Sequence, residues 1–421
     1  VDDPFIFQKF RKVCEMLYFV YETEALIMKN LIDKVTFRHG ATIDTRTAQS
    51  PMLTNSGLNE KVTQDTINYY NARSQSAGMV IVEYTSVSPN GGPSRSWAPD
   101  REQLAIYDDS FVPGFKKITE KLKKDGNKAI LQLVHSGREA QYRYALGGQV
   151  EVPSNIDFPW INYPLHELSE DEVWQIVKDF GTATKRAIAS GFDGIEIHGA
   201  NHYLHQEFFS AYSNVRTDFW GGSLEKRMNF ALEVAREVFK VAKENAPKDF
   251  IIGYRISPEE VHEDNIGYTW HEAQLLVNQL TENFEFDYVH LSTNDYTATP
   301  TDSDKNYAQL LGERVKKPAL LMIAGGIHTV EKMKDALQYV DIVSLGRPTL
   351  IDNQIGYKIK NGQADHIFLE FNEESVKESH LTPGLIDLLA NTAYFDMPGI
   401  DYLKTLTDVK LGDAVTHDGT K

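Results

Sequence analysis

The chain has 421 residues, 41% apolar and 24% charged, with a formal net charge of −17, a globular composition with enough apolar matter for a sizeable core. That acidity argues against a nucleic-acid or anionic-membrane surface, which needs clustered Lys and Arg, although one Arg and a few backbone N–H groups can still hold a phosphate. The single cysteine, Cys14, excludes an intrachain disulfide, a cysteine-based zinc cluster and a protein-held iron–sulfur centre, and points to a reducing, cytoplasmic setting.

In residues 1–28, Phe10, Val13, Leu17 and Val20 or Tyr21 recur at helical spacing and predict one amphipathic helix. Lys9, Arg11, Lys12, Glu15, Glu22 and Glu24 interrupt this segment, so no apolar run approaches the ~20 residues of a membrane span. Met28-Lys29-Asn30 reads as a native start, which makes residues 1–28 an N-terminal extension to a barrel unit of residues 29–362. Val35-Thr36-Phe37 and Ala41-Thr42-Ile43, either side of Arg38-His39-Gly40, predict a short hairpin.

Eight short β-rich apolar runs follow: Thr47–Met52, Met79–Tyr84, Ala129–Val134, Gly194–His198, Phe250–Ile256, Tyr288–Ser292, Ala319–Ala324 and Ile342–Leu345. Helical patterns separate them, clearest over Asp171–Ser190, Leu224–Asn245, Trp270–Glu282 and Thr329–Leu337, and Ser169 with Glu172 forms a capping-box signature. Alternation of this kind predicts parallel βαβ units, with strands buried on both faces, and a (β/α)8 TIM barrel is the economical closure. A doubly wound sheet would want a Gly-x-Gly-x-x-Gly turn after its first strand, where this chain has Gln49-Ser50-Pro51-Met52. Residues 363–421 read as a polar, acidic tail that packs on the barrel or extends from it.

A TIM barrel builds its site at the strand C-terminal ends. Ala324-Gly325-Gly326 and Gly346-Arg347 end the seventh and eighth runs, the usual place of a phosphate cradle; tight βα turns are the other reading. Arg255 lies inside an apolar run, where a guanidinium is costly unless paired. It faces either an anionic ligand or a structural partner such as Glu196 or Glu83. His198, Asn201 and Tyr203 can converge as two donors and an acid, or be satisfied loop polars. His135, His202 and His205 lie nearby in sequence, but the spacing gives no zinc set.

At these residues the chain resembles the Old Yellow Enzyme family of NADH:flavin oxidoreductases, over about Asn30 to Gly362. The resemblance is sharpest at Ser213-Asn-Val-Arg-Thr-Asp-Phe-Trp-Gly-Gly-Ser-Leu-Glu-Lys-Arg227, with Gly191-Phe-Asp-Gly-Ile-Glu-Ile-His198 and Gln132-Leu-Val-His-Ser-Gly-Arg138 beside it. It implies a bound FMN reduced by NADH or NADPH. Gly325, Gly326, Gly346 and Arg347 would then hold the phosphate. Ser50, Pro51, Met52, Leu53 and Tyr84 would line the isoalloxazine, Gln132 would bond its pyrimidine edge, and Arg255 would face the charge that grows on reduction. His198 and Asn201 would bind a substrate carbonyl oxygen, and Tyr203 would protonate the α-carbon of an electron-poor alkene. Family habit alone points to a homo-oligomer.

Departures limit the carry-over. Leu53 stands where many relatives place Thr or Cys, Asn55 where one subgroup has a substrate-contacting Tyr, and Tyr84 replaces a smaller residue, so no relative's substrate transfers. Other chemistries remain open: an FMN-dependent dehydrogenase or NADH oxidase with another acceptor, a flavin-binding sensor or scaffold without turnover, and a flavin-free barrel lyase, which would want a Schiff-base Lys or metal carboxylates.

Overall fold

In the computed structural model, which describes residues 29–94, 101–391 and 397–407, eight parallel strands close into a barrel in chain order. They are β1 (Thr47–Gln49), β2 (Met79–Ser86), β3 (Lys128–Val134), β4 (Gly194–Gly199), β5 (Ile251–Ile256), β6 (Tyr288–Ser292), β7 (Leu320–Ala324) and β8 (Ile342–Leu345). The ring shuts where Val343, Ser344 and Leu345 pair with Thr47, Ala48 and Gln49. The TIM barrel expected from the alternation is therefore the fold. The helix expected over residues 1–28 lies outside the described residues.

Helices between the strands bury one stripe each. The helix Glu170–Ala189 starts at the expected capping box, with Ser169 Oγ accepting from the Glu172 N–H, and turns Val173, Ile176, Val177 and Phe180 inward at the spacing of one helical face. The predicted helix Leu224–Asn245 is two pieces, Leu224–Arg227 and Asn229–Asn245, meeting at Met228. The first strand stops at Gln49, three residues short of the sequence reading. Pro51, with no N–H to give a ladder, helps end the pairing there.

The barrel interior is layered. At the bottom, Ala48, Met79, Ile81, Ile130, Ile251, Tyr288, Met322 and Ile342 pack together, and the hairpin Val35–Thr36/Thr42–Ile43 plugs that end with Val35, Phe37, Ala41 and Ile43. Gly253 makes room in this layer, because a Cβ there would lie 2.1 Å from the Tyr288 ring. Polar side chains take over one residue pair higher, as Ile130 gives way to Gln132, Ile251 and Gly253 to Arg255, and Tyr288 to His290 and Ser292.

The segment after residue 362 holds helices Glu373–Ser379, Pro383–Asn391 and Ile400–Lys404. It packs on the barrel through Leu381, Leu385, Leu388, Leu389 and Leu403, all buried. Two polar anchors fasten it: Arg73 donates to the Ser379 carbonyl at 2.8 Å, and the Thr382 hydroxyl donates to the Thr54 carbonyl.

Candidate active site

His198, at the top of β4, receives the Ala200 N–H on Nδ1 at 3.3 Å, which leaves the ring proton on Nε2. Burial and then the charge of Arg255 hold its pKa well below the usual value, so the ring is neutral and presents one N–H. Three residues on, the chain turns sharply: Asn201 and His202 both have left-handed backbone, with φ of 58° and 65°, a cost of about 1–3 kcal/mol each that the surroundings must offset. Asn201 is tethered by its N–H to Ser257 Oγ, and its Oδ1 accepts from the Ser292 hydroxyl at 2.9 Å. Its amide NH2 is thus the end left to face a ligand. Tyr203 opens the helix Leu204–Phe209 and sets its ring 4.9 Å from that of His198 and 5.4 Å from that of Tyr84.

Arg255 donates to Ser292 Oγ at 3.0 Å. Its Nε is buried without a partner, as is Oε1 of Gln132. Of the two carboxylates considered for it, Glu196 lies close enough to act on its charge. Glu83 is elsewhere, accepting from the backbone and hydroxyl of Thr54, where burial raises its pKa to about 7. The chain Arg255–Ser292–Asn201 runs from the barrel interior to the mouth, and sequence reasoning missed its middle link. Ser292 ends an apolar run, and only the inward parity of Tyr288, His290 and Ser292 signals it.

Ser50 Oγ pairs with Ser344 Oγ at 2.7 Å and its N–H with the Leu345 carbonyl, stitching the ends of β1 and β8. A Cβ on Gly346 would lie 3.6 Å from Met52 Sδ, so these ends share one wall. Gly325 and Gly326 take φ of 150° and 63°, values that glycine reaches without penalty. Arg347 and Lys332 lie close enough to His328 to depress its pKa, after burial itself. Pro51 and Leu53 are buried. Asn55 is wholly buried, with its amide unpartnered, against Gly384 of the C-terminal segment. The notional zinc histidines are dispersed: His135 bonds Glu151 at 2.9 Å, the His202 ring lies tilted 5.1 Å from that of His262, and His205 sits among Phe180, Phe230 and Tyr254. Among the described residues no group of three or more His, Cys, Asp or Glu is placed to hold a metal, and no helix is long and apolar enough to cross a membrane.

Residues 32–366 match the NADH:flavin oxidoreductase / NADH oxidase family. The chain belongs to it. A probable NADH-dependent flavin oxidoreductase of Bacillus subtilis is 38% identical over 373 residues, 86% of this chain and 96% of that one. An NADH:acrylate oxidoreductase of Vibrio harveyi is 36% identical over 367 residues, 85% of this chain but 35% of that longer protein. Among solved structures, an Old Yellow Enzyme homologue from Zymomonas mobilis superposes with a TM-score of 0.69 at 23% identity, covering 84% and 99% of the two chains; at that identity the likeness speaks for the fold.

This flavin oxidoreductase uses FMN as cofactor and NADH or NADPH as reductant. The residues present fit the group. Two buried polar atoms, Gln132 Oε1 and Arg255 Nε, have no partner inside the protein, and the glycines ending β7 and β8 put bare backbone beside Arg347.

Proposed function

We propose that this flavin oxidoreductase reduces electron-poor alkenes, with α,β-unsaturated carbonyl compounds as the acceptor class. The observation that carries the reading is the pair of donors at the mouth. The Nε2–H of His198 and the NH2 of Asn201 are each fixed by a hydrogen bond to the other end of their group, and Tyr203 stands against His198.

Bound FMN supplies the two-electron chemistry between nicotinamide and acceptor. Gly325, Gly326, Gly346 and Arg347 would hold its phosphate. Ser50, Pro51, Met52, Leu53 and Tyr84 would line the ring system, and Gln132 and Arg255 would take its polar edge. The chain's own work is then electrostatic. His198 and Asn201 bind the acceptor's carbonyl oxygen and stabilise the negative charge that gathers there, preorganised donors being worth more in a half-buried site than in water. The neutral imidazole still donates its Nε2–H to that oxygen. Tyr203 holds its proton on Oη and delivers it to the α-carbon. Asn55, buried under the C-terminal segment, would shape the pocket from behind.

The names of relatives support this class: besides the acrylate enzyme, an NADH:fumarate oxidoreductase of Klebsiella pneumoniae is 31% identical over 351 residues. The test is an anaerobic titration of the purified, FMN-loaded protein with NADH and then NADPH, followed by reoxidation with 2-cyclohexenone, with acrylate and, separately, with oxygen. Fast return of the oxidised spectrum with an alkene supports the proposal. Reoxidation by oxygen alone would make the protein an oxidase, and failure to bind FMN would remove the reading altogether.

A further inference from the structure

Beside Arg255 lies a polar cluster of which the mechanism above uses only Gln132. Glu196 is completely buried and accepts from Gln132 Nε2 at 2.6 Å and from His290 Nδ1 at 2.9 Å. Gln132 and His290 are equally buried. Three strands contribute, and their register sets Gln132 opposite Glu196 and His290 opposite Arg255. Barrels commonly fill this level with Val, Ile and Leu, and an ionised carboxylate survives there only with its charge matched and its lone pairs filled. Here Arg255 matches the charge while Gln132 and His290 fill the lone pairs.

Burial works against ionising Glu196, but the His290 imidazole, the Arg255 charge and the Gln132 amide outweigh it and hold its pKa low. Burial and Arg255 also hold His290 below its usual value in spite of Glu196. The groups facing His290 are Glu196 and His198 from β4 and Arg255 from β5, while β7 sets apolar Met322 opposite it. A carboxylate can only accept, so His290 donates Nδ1–H to Glu196. Because that carboxylate takes the NH2 of Gln132, Oε1 is the end of the amide left for a ligand, and it has no partner in the protein.

We infer that Glu196, held by His290, is a positioning residue for the cofactor. It turns the Gln132 amide so that an acceptor meets the imide N–H of the isoalloxazine, and it sets the charge against which Arg255 acts. The inference rests on the flavin reading of the mouth. It assigns a purpose to a buried charge that packing alone would replace with a hydrocarbon, and it makes the flavin's redox balance depend on a residue that never touches substrate.

The test measures binding of oxidised FMN and the reduction potential of the bound flavin in the wild-type holoenzyme, Glu196→Gln and His290→Gln. Losing the carboxylate leaves Arg255 unmatched, so Glu196→Gln binds the reduced, more negative cofactor roughly tenfold more tightly relative to the oxidised one. His290→Gln keeps a hydrogen-bond donor for Glu196 and leaves that ratio within about threefold of wild type. Nitrogen-15 NMR of the wild-type histidines supplies an arm that needs no variant: His290 keeps a proton on Nδ1 from about pH 6 to pH 8. An unchanged or reversed ratio in yellow Glu196→Gln protein overturns the inference and leaves the flavin reading standing. A His290 whose ring proton sits on Nε2 alone overturns it too, even if Glu196→Gln does not fold. Wild-type protein that never turns yellow would instead sink the reading beneath it.

Discussion

His205 offers a clean measurement of how dry the wall behind the turn at Asn201–Tyr203 is. It lies in the helix that Tyr203 opens, its ring 4.8 Å from Phe180 and 4.7 Å from Phe230, with neither nitrogen hydrogen-bonded. Burial, and then the charge of His135, lower its pKa to about 3. The folded value lies below the unfolded one near ~6.5, so this group's stability is fully present above that pH and is lost as pH falls toward the folded value. Between those limits the unfolded chain takes up a proton that the native state refuses. At pH 5 this amounts to about 1.5 pH units, or about 2 kcal/mol against the native state, and to almost nothing at pH 7.5.

The perturbation is His205→Phe, which fills the same aromatic slot and cannot titrate. Whatever the larger ring costs in packing is common to both pH values, so the pH difference isolates the proton. With an unfolding entropy of ~2.1 cal/mol/K per residue, the whole chain gives about 0.9 kcal/mol/K, and about 2 kcal/mol becomes about 2 °C. Melting of FMN-loaded wild type and variant should show the variant gaining about 2 °C on wild type between pH 7.5 and pH 5.0, with turnover retained. A gap identical at the two pH values would show that His205 already binds its proton in the folded protein, and the argument would fail.

Other outcomes follow from the site. Tyr203→Phe leaves reduction of the flavin by NADH unchanged in stopped-flow traces and slows alkene reduction by about 10²–10⁴, the usual worth of a positioned acid; equal slowing of both half-reactions would refute its assignment. Ser292→Ala frees the Asn201 amide to turn, raising the acceptor's KM by about 3–10-fold, one hydrogen bond's worth, with less effect on kcat; an unchanged KM would show that Asn201 does not hold the acceptor. Arg347→Leu weakens FMN binding by about 10–100-fold through loss of a charge-assisted bond, read by fluorescence of released flavin. Gly326→Val, which forces a branched side chain to a φ of 63°, weakens it by a comparable factor, and tight binding by both variants would move the phosphate elsewhere.

The barrel was legible because its strands are apolar runs of β-branched residues separated by amphipathic helices, and each of the eight runs became a strand. The edges shifted where local geometry overrode pattern, as at Pro51. Candidate site residues were legible where strands end, since a TIM barrel concentrates its chemistry there. Residues such as Ser292 and His290 were not, because a polar residue inside an apolar run announces no partner, and the Glu196 contact spans 94 positions. The last helices were not legible for a different reason. Residues 363–421 are acidic on average, yet Leu385, Leu388 and Leu389 mark a buried stripe in Pro383–Asn391 that averaging hid.

That stripe has a consequence for how the protein comes into being. Thr54 and Thr382, joined at the mouth, are 328 residues apart in the chain, and the ring itself shuts only when Leu345 reaches Gln49. Contacts so distant in sequence form late and slowly. On the ribosome, β1 meets β2 early but waits through β3 to β7 before β8 closes its other edge, and the loop beyond it waits longer still for its cover. The nascent chain therefore has no closed barrel to offer a flavin until Leu345 has been made, and no covered mouth until Thr382 has followed.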